Sequence, residues 1–593
     1  MRQATAPMAK RYTAADITAV REGADIGQVI GDVVHLVPAG GGRLKGLCVF
    51  HDERSPSFNV NPADGFFHCF GCGVGGDAIK FLRDHHGLSF SEALETLADR
   101  FNIHIEPTED NSHDVEVVSP TTRIYAANQK AAEFFKDALL NGSDTAGVEF
   151  VRARQFDPAS AAHDFGVGYA PQSGRALSQF LIKSGFTAEE IIDAGLVLKS
   201  KTGNALYDVF QGRPTWAIRD TLGRVIGFGA RKIREDDRRE GKFVNTSETP
   251  VYKKSKVLYG LDLARKAIAK SKQAIVVEGY TDVMSMHMAG LINTVATCGT
   301  ALTEEHIMIL RRLVGDDGEI VFAFDGDAAG RKAALTAYAN GKKTLRRLSV
   351  LDIEGGKDPD ELRKAEGLEA LEGLLQRRRP LIEVVIRATV AAAPLESPED
   401  RVTALDRVGV QMADVLDPIL RGQYAPLVAE LLSLPLRDVS RVLNVESVSV
   451  THQPTKRVGP TRSFERDALQ LVAQHPNLSA SAQLLDESLF VSPHAQTLLP
   501  VFSWWLWGKD TSRHALVDSA PPELAGAVLE IIMDEIRTDD VDAYGEELLM
   551  RLMIAKTERQ MAELKDHVAS NPEDREAFGQ LRALRVYRDK LKG

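Results

Sequence analysis

The chain has 593 residues, 44% of them hydrophobic and 26% charged, with a formal net charge of −11. That length exceeds what one hydrophobic core organises, so two to four domains are expected; no run approaches the roughly 18 apolar residues of a membrane span, and the N-terminus MRQATAPMAKRYTAAD lacks the apolar core of a secretory signal. Four cysteines, three of them within positions 48 to 72, argue for metal ligation in a reducing, cytoplasmic compartment and against a disulfide framework.

The first informative segment is GLCVFHDERSPSFNVNPADGFFHCFGCGVGGD. Cys48 and His51 have Cys-x2-His spacing, Cys69 and Cys72 have Cys-x2-Cys spacing, and 17 residues separate the pairs. Two such knuckles can close a tetrahedral zinc site of three Cys and one His, the closed kind expected of a structural metal. The intervening PSFNV and GFFHCF alternate polar and apolar residues and predict strands carrying the second knuckle. His68 competes as a ligand by proximity, but as a strand residue beside Cys69 it is expected to face the opposite side. A zinc ribbon with Phe and basic residues can read nucleic acid or act as a structural staple, and spacing does not choose between the two.

Two stretches read as linkers: EPTEDNSHDVEVVSP over Glu106–Pro120 and ESVSVTHQPTKRVGPTRS over Glu446–Ser463. They divide the chain into residues 1–107, 120–445 and 464–593. Charge is segregated among these parts. Between Arg231 and Lys272 there are 13 Lys or Arg against 6 acids, whereas residues 461–593 carry 15 against 22, a balance of −7. A local basic strip can neutralise phosphates whatever the total, so the acidic average does not exclude nucleic acid.

The central part alternates β-rich and helical patterns. QAIVVEGY is a strand ending at Glu278, after which Thr281-Asp282 is expected to cap a helix through DVMSMHMAG. EIVFAF is a strand ending at Asp325, with Asp327 two residues on, and Ala328–Leu348 shows helical spacing. In GKDPD, Asp358 precedes a proline and is biased onto a loop, with Asp360 behind it. Acids at strand ends stand where α/β sheets present side chains to ligands. Magnesium is held by one or two carboxylates plus waters and phosphates, so this pattern suits magnesium-dependent phosphate chemistry. Residues 377–445 and 464–593 are helix-rich, and Trp504, Trp505 and Trp507 are expected in the core of the last part.

The Glu-Gly motif, the Asp-x-Asp pair and the strand–helix alternation resemble a Toprim domain. The zinc segment, together with LYDVFQGRPTWAIRDTLGRVIGFGARKI, KFVNTSETPVYKKSKVLYGL and ATCGTALTEEH, resembles bacterial DnaG-type DNA primases, from about Ile17 to Glu361. Val49 and Ala217 stand where that family usually has Pro. Cys298 takes a usually aliphatic site and is expected to be a buried strand residue.

The resemblance implies a multidomain α+β and α/β protein: an N-terminal zinc ribbon (1–107), a central Toprim, Rossmann-like RNA polymerase core (120–445, Toprim at about 272–360) and a C-terminal helical helicase-interaction domain (464–593). It implies synthesis of RNA primers on single-stranded DNA from ribonucleoside triphosphates, by a monomer working in the cytoplasm at the replication fork. Glu278, Asp325 and Asp327 would bind catalytic Mg²⁺ or Mn²⁺, and Asp282, Asp358 and Asp360 would complete or orient that coordination. Arg231, Lys242, Asn245, Lys253 and Lys254 would bind template or nucleotide phosphates, with fixing a turn as the alternative role for Asn245. One structural Zn²⁺ would sit on Cys48, His51, Cys69 and Cys72, and the C-terminal part would engage a DnaB-type replicative helicase. A DNA-rejoining Toprim enzyme would need a nucleophilic Tyr that no surrounding motif selects. A non-enzymatic zinc adaptor would not need to gather mutually repelling acids.

Overall fold

The computed structural model describes all residues except 1–11, 108–119, 201, 202, 204, 238, 240, 300, 324–335, 340, 342–346, 352, 354–356, 414, 416, 417, 444–462, 479, 535, 537, 539, 572 and 593. These fall into two compact units, one built chiefly from Leu82–Val450 and the other from Val37–Phe81 with the C-terminal segment. Among the described residues, no helix is long and apolar enough to cross a membrane.

In the second unit, five short antiparallel strands follow chain order: β1 (Val37–Gly40), β2 (Arg43–Gly46), β3 (Phe58–Asn61), β4 (Phe66–Cys69) and β5 (Gly75–Asp77). Both strands expected around the second knuckle are present. The period of two sorts β4 cleanly. Phe67 packs inward against Phe58 and Phe81, with ring centroids 5.2 and 5.4 Å away. Phe66 faces the other way and joins a core built from helices of the C-terminal segment, among them Phe464–Gln474, Pro493–Leu506 and Pro522–Met533. Ser463 and Ser492 cap the first two by accepting from the amides of Arg466 and Ala495, satisfying donors that a helix start leaves orphaned.

In the first unit, β6 (Val167–Ala170), β9 (Arg213–Arg219), β10 (Val225–Arg231) and β11 (Phe243–Asn245) form an antiparallel sheet in the order β11-β10-β9-β6. A small hairpin, β7 (Val197–Lys199) with β8 (Leu206–Asp208), lies between them in sequence. A second sheet has the order β13-β12-β14-β15-β16, with β12 (Gln273–Val277), β13 (Thr294–Ala296), β14 (Glu319–Phe322) and β15 (Arg347–Val350) parallel and β16 (Arg379–Pro380) antiparallel at its edge. The parallel strands are apolar runs because helices cover both faces. Helices Leu261–Ser271 and Glu304–Val314 bury one face, and Tyr280–Met288 with Pro359–Glu366 the other.

Three sequence expectations change here. The helical spacing read through Leu348 stops short, because Arg347–Val350 is strand β15, paired with β14 and completing the sheet; most of Ala328–Leu348 lies outside the described residues. Cys298 is buried but lies beyond β13, with φ +52, a left-handed turn residue instead of a strand one. Of the three tryptophans only Trp505 is core, at 1% exposure, whereas Trp504 and Trp507 are 71% and 78% exposed. Helical geometry explains this split, since neighbours one and two positions apart on a helix point to different faces.

Candidate zinc centre and acidic nucleotidyl site

Cys48 and His51 stand on the loop after β2, Cys69 ends β4, and Cys72 lies in the turn to β5, where Gly73 at φ +76 lets the backbone fold back so that its amide donates to the Cys69 carbonyl. The four donor atoms lie within 4.8 Å of one another. The Cys48 and Cys72 sulfurs are 3.9 Å apart, and His51 Nδ1 is 3.7 Å from the Cys69 sulfur. Tetrahedral zinc with bonds of about 2.3 Å places its sulfurs about 3.8 Å apart, so the cluster has the size zinc demands.

The surroundings also fit a cation. Burial pushes the Cys48 and Cys72 thiols up, so each needs a positive partner to exist as thiolate. Glu53 accepts from the Cys48 and Ser57 amides at 2.7 and 3.2 Å and stands 3.4 Å from His51 Nε2. That carboxylate orients the imidazole with Nδ1 toward the cluster. Gly71 leaves room for this arrangement: a Cβ there would lie 2.7 Å from both His51 Nε2 and Ser57 Oγ. His68 lies on the opposite face of β4, its ring 4.8 Å from Phe70, and stays outside the cluster.

The acids collect at the C-terminal ends of the parallel strands. Glu278 is the first residue past β12 and is exposed. The next helix starts at Tyr280 and is capped by Gly279, two to three residues earlier than expected; Asp282 sits in its first turn and reaches back, accepting from the Gly279 amide at 3.0 Å. A carboxylate there is favoured by the helix's positive end. The adjacent strand β14 leaves the sheet through Ala323, whose amide donates to the Val276 carbonyl at 2.9 Å. Asp325 and Asp327 follow but lie outside the described residues.

Asp358 caps the helix Pro359–Glu366, accepting from the Glu361 amide at 2.7 Å, with extended backbone as a residue before proline prefers. Burial, with Glu361 and Asp360 adding negative charge, pushes its carboxyl up, and Arg154 opposes the shift. Asp360 is placed differently from an open ligand. At 0% exposure it accepts from Ser285 Oγ at 3.0 Å and from Arg363 at 2.9 Å, and it pairs with Arg154. Arg363 also donates to Ser285 and to the Arg154 carbonyl. This network ties the helix after Glu278 to the helix after Asp358.

Arg231, the last residue of β10, lies between the rings of Phe150 and Phe243, 5.7 and 5.3 Å from their centroids. Burial and Arg154 pull its guanidinium down, while Asp358, Asp360 and Asp282 act in the other direction. Arg231 is therefore in the field of three of the acids. Arg154, which follows the helix Ala146–Ala153, belongs to the same cluster and was missed from sequence. Its only local signal is a basic RAR stretch indistinguishable from a solvated helix end.

The rest of the basic strip is spread out. Asn245 donates to the Cys298 carbonyl at 2.6 Å and accepts from the Tyr280 hydroxyl at 2.7 Å. Tyr280 stacks on Trp216 at 5.0 Å and lies so close to Gly229 that any Cβ there would overlap its hydroxyl. The antiparallel sheet is thus joined to the start of the Glu278 helix. Lys242 is exposed beside β11. Lys253 is exposed 3.9 Å from Glu248, and Lys254 begins a 3₁₀ turn whose carbonyl faces His306.

Comparisons with known proteins place these features. The CHC2 zinc finger family matches residues 12–113, the DNA primase catalytic core N-terminal domain residues 134–265, and the Toprim-like family residues 275–363. The DNA primase of Mycolicibacterium smegmatis is 38% identical, covering 97% of this chain and 96% of its own length. The DNA primase of Mycobacterium tuberculosis is 41% identical over 89% of this chain and 80% of its own. A solved RNA polymerase domain of the M. tuberculosis primase DnaG is 44% identical, covers 52% of this chain and 98% of that one, and superposes with a TM-score of 0.49. Because a DNA primase 38% identical to this chain is matched along nearly the whole length of both, and the zinc-finger, catalytic-core and Toprim-like families match successive segments, the chain belongs to the DNA primase family.

Proposed function

We infer that the chain is a DNA-directed RNA polymerase that makes RNA primers on a single-stranded DNA template from ribonucleoside triphosphates, and that its chemistry is centred on Glu278. The observation that carries this reading is the placement of Glu278 at the C-terminal end of β12 with Asp282 in the first turn of the following helix, and of Arg231 in the field of Asp282, Asp358 and Asp360. Hard oxygen donors of this kind fit Mg²⁺ or Mn²⁺. Glu278, Asp325 and Asp327 would hold such ions, which would supply charge neutralisation for the attacking 3′-oxygen and the departing pyrophosphate.

The chain's own side chains do the rest. Arg231, wedged between two aromatic rings, presents a guanidinium that can fork onto triphosphate oxygens. Asp282 braces the turn that presents Glu278. Asp360 holds Arg154 and Arg363 in register and thereby orients the Asp358 helix. Lys242, Lys253 and Lys254 bind phosphate without reading sequence. Zinc at Cys48, His51, Cys69 and Cys72 is structural, since all four positions are taken by protein and none is open to substrate. Residues 464–593 form the site for a replicative helicase.

Incubation with single-stranded DNA, labelled ribonucleotides and Mg²⁺ or Mn²⁺ should yield short RNA products, and Glu278→Ala should reduce them by about 100-fold or more. Undiminished synthesis by that variant sinks the site. Deletion of 464–593 should abolish stimulation by helicase while basal priming persists; retained stimulation would rule the partner site out.

A further inference from the structure

The second unit joins the zinc ribbon to the C-terminal helices through one face of the ribbon sheet. Strand register defines that face. Lys45 pairs with Asn59, and Asn59 with His68, so these three lie side by side across the sheet, flanked by Arg43, Asn61 and Phe66 at alternate positions. Phe70 extends the row, with its ring 4.8 Å from His68. The face thus carries aromatic rings at alternating positions, amides and two cations. Its one acid on these strands, Asp77, is paired with Arg21 at 2.9 Å and caps the helix that follows through the Lys80 amide. Flat rings beside Lys and Arg, without sequence-specific geometry, are what single-stranded nucleic acid stacks on.

The C-terminal helices cover the part of this row around Phe66 and His68. Phe66 is 1% exposed, its ring tilted against that of His514 with centroids 4.4 Å apart, and His68 is 2% exposed, while Phe70 at the far end is 46% exposed. The backbones come close, since a Cβ at Gly75 would lie 3.1 Å from Leu529 and one at Gly526 would lie 3.3 Å from the Gly73 carbonyl. Around this seat the contacts are ionic. Arg43 donates to the Met533 and Asp534 carbonyls at 2.6 and 3.0 Å, the negative end of the helix Pro522–Met533. Arg21 forks onto Asp518 at 2.6 and 3.1 Å, and Arg513 pairs with Asp64. These ion pairs are partly buried but still reach water, so each contributes modestly, and Phe66 is the ribbon ring that joins the helical core, a combination suited to a contact that opens.

We propose that the C-terminal helical domain is a cap on the nucleic-acid face of the zinc ribbon, so that single-stranded DNA and the cap exclude one another there. Arg43 is the residue both need: its guanidinium is spent on helix carbonyls when capped and is free for phosphate when not. The proposal rests on the template reading above, but its test does not use catalysis.

Hydroxyl-radical footprinting of the full-length, zinc-loaded protein, without nucleotides, reads Phe66 and His514 directly. In the free protein both should oxidise slowly. With a saturating single-stranded oligodeoxynucleotide, His514 should oxidise at least threefold faster while Phe66 stays slow beneath the bases. Arg513→Glu should open both sites without DNA, and adding Asp64→Arg to the same chain should close them again. Two results overturn the cap: His514 protection unchanged when DNA is bound, or both residues open in the free wild-type protein. A protein whose His514 opens on DNA but which makes no primers contradicts the catalytic reading alone.

Discussion

The zinc cluster and the proposed acidic site are built on opposite principles. Every zinc donor comes from one stretch of 25 residues, on three adjacent strands and their turns, and the donors already stand at tetrahedral spacing. The acidic site draws Glu278, Asp282 and Asp358 from two helix starts, Arg231 from another sheet and Arg154 from a helix over 100 residues upstream of Glu278. A structural metal organises a local loop, whereas a reactive one needs donors left partly open and held by elements that would fold without it.

That contrast can be broken from either side. The largest expected effect is at the ribbon: Cys69→Ser should lose zinc stoichiometry, since structural zinc contributes on the order of 10 kcal/mol of coupled binding and folding. Metal analysis and exchange of the β3–β4 amides would measure it, and the first unit should melt unchanged. Full zinc content in the variant would contradict the ligand set. Next, Asp360→Ala should cost about 3–5 kcal/mol of stability, because it strands the buried Arg363 and Arg154 guanidiniums. Denaturant unfolding tests this, and a wild-type midpoint would show that the network does not anchor the acidic site.

The smallest effect separates stability from function. Folding raises the Asp358 pKa, so the native protein holds more protons than the unfolded chain, and stability falls as pH climbs from the ordinary carboxylate value through the raised one. Asp358→Asn keeps a competent helix cap but removes this charge. It should raise the melting temperature at neutral pH, flatten the stability slope in mildly acidic buffer, and lower priming. A lowered melting temperature would assign Asp358 a structural role instead.

Knuckle spacing and the alternation of FNVN and FFHC made the ribbon and its four donors legible, because ligand pattern and strand period are properties of neighbouring residues. The same logic located Glu278 at a strand end and Asp358 before a proline. It stumbled where the deciding partner was remote. The cap of the Glu278 helix fell on Gly279, with Asp282 reaching back, because the sheet fixed where β12 stopped. Residues 347–350 became strand because β14 lay open beside them. Trp504 and Trp507 faced outward because only one side of their helix met the core.

Composition and motif order therefore determined the class of chemistry, the Cys and His cluster and the order of the zinc-finger, catalytic-core and Toprim-like segments, all of which are written in local spacing. Tertiary structure alone decided that Asp360 is committed to two guanidiniums, that Arg154 belongs to the acidic site, that Asn245 braces Tyr280, and that the ribbon's aromatic face meets the C-terminal helices. The reason is physical: burial, ion pairing and ring stacking depend on which surfaces meet, and residues hundreds of positions apart leave no periodic trace of their meeting.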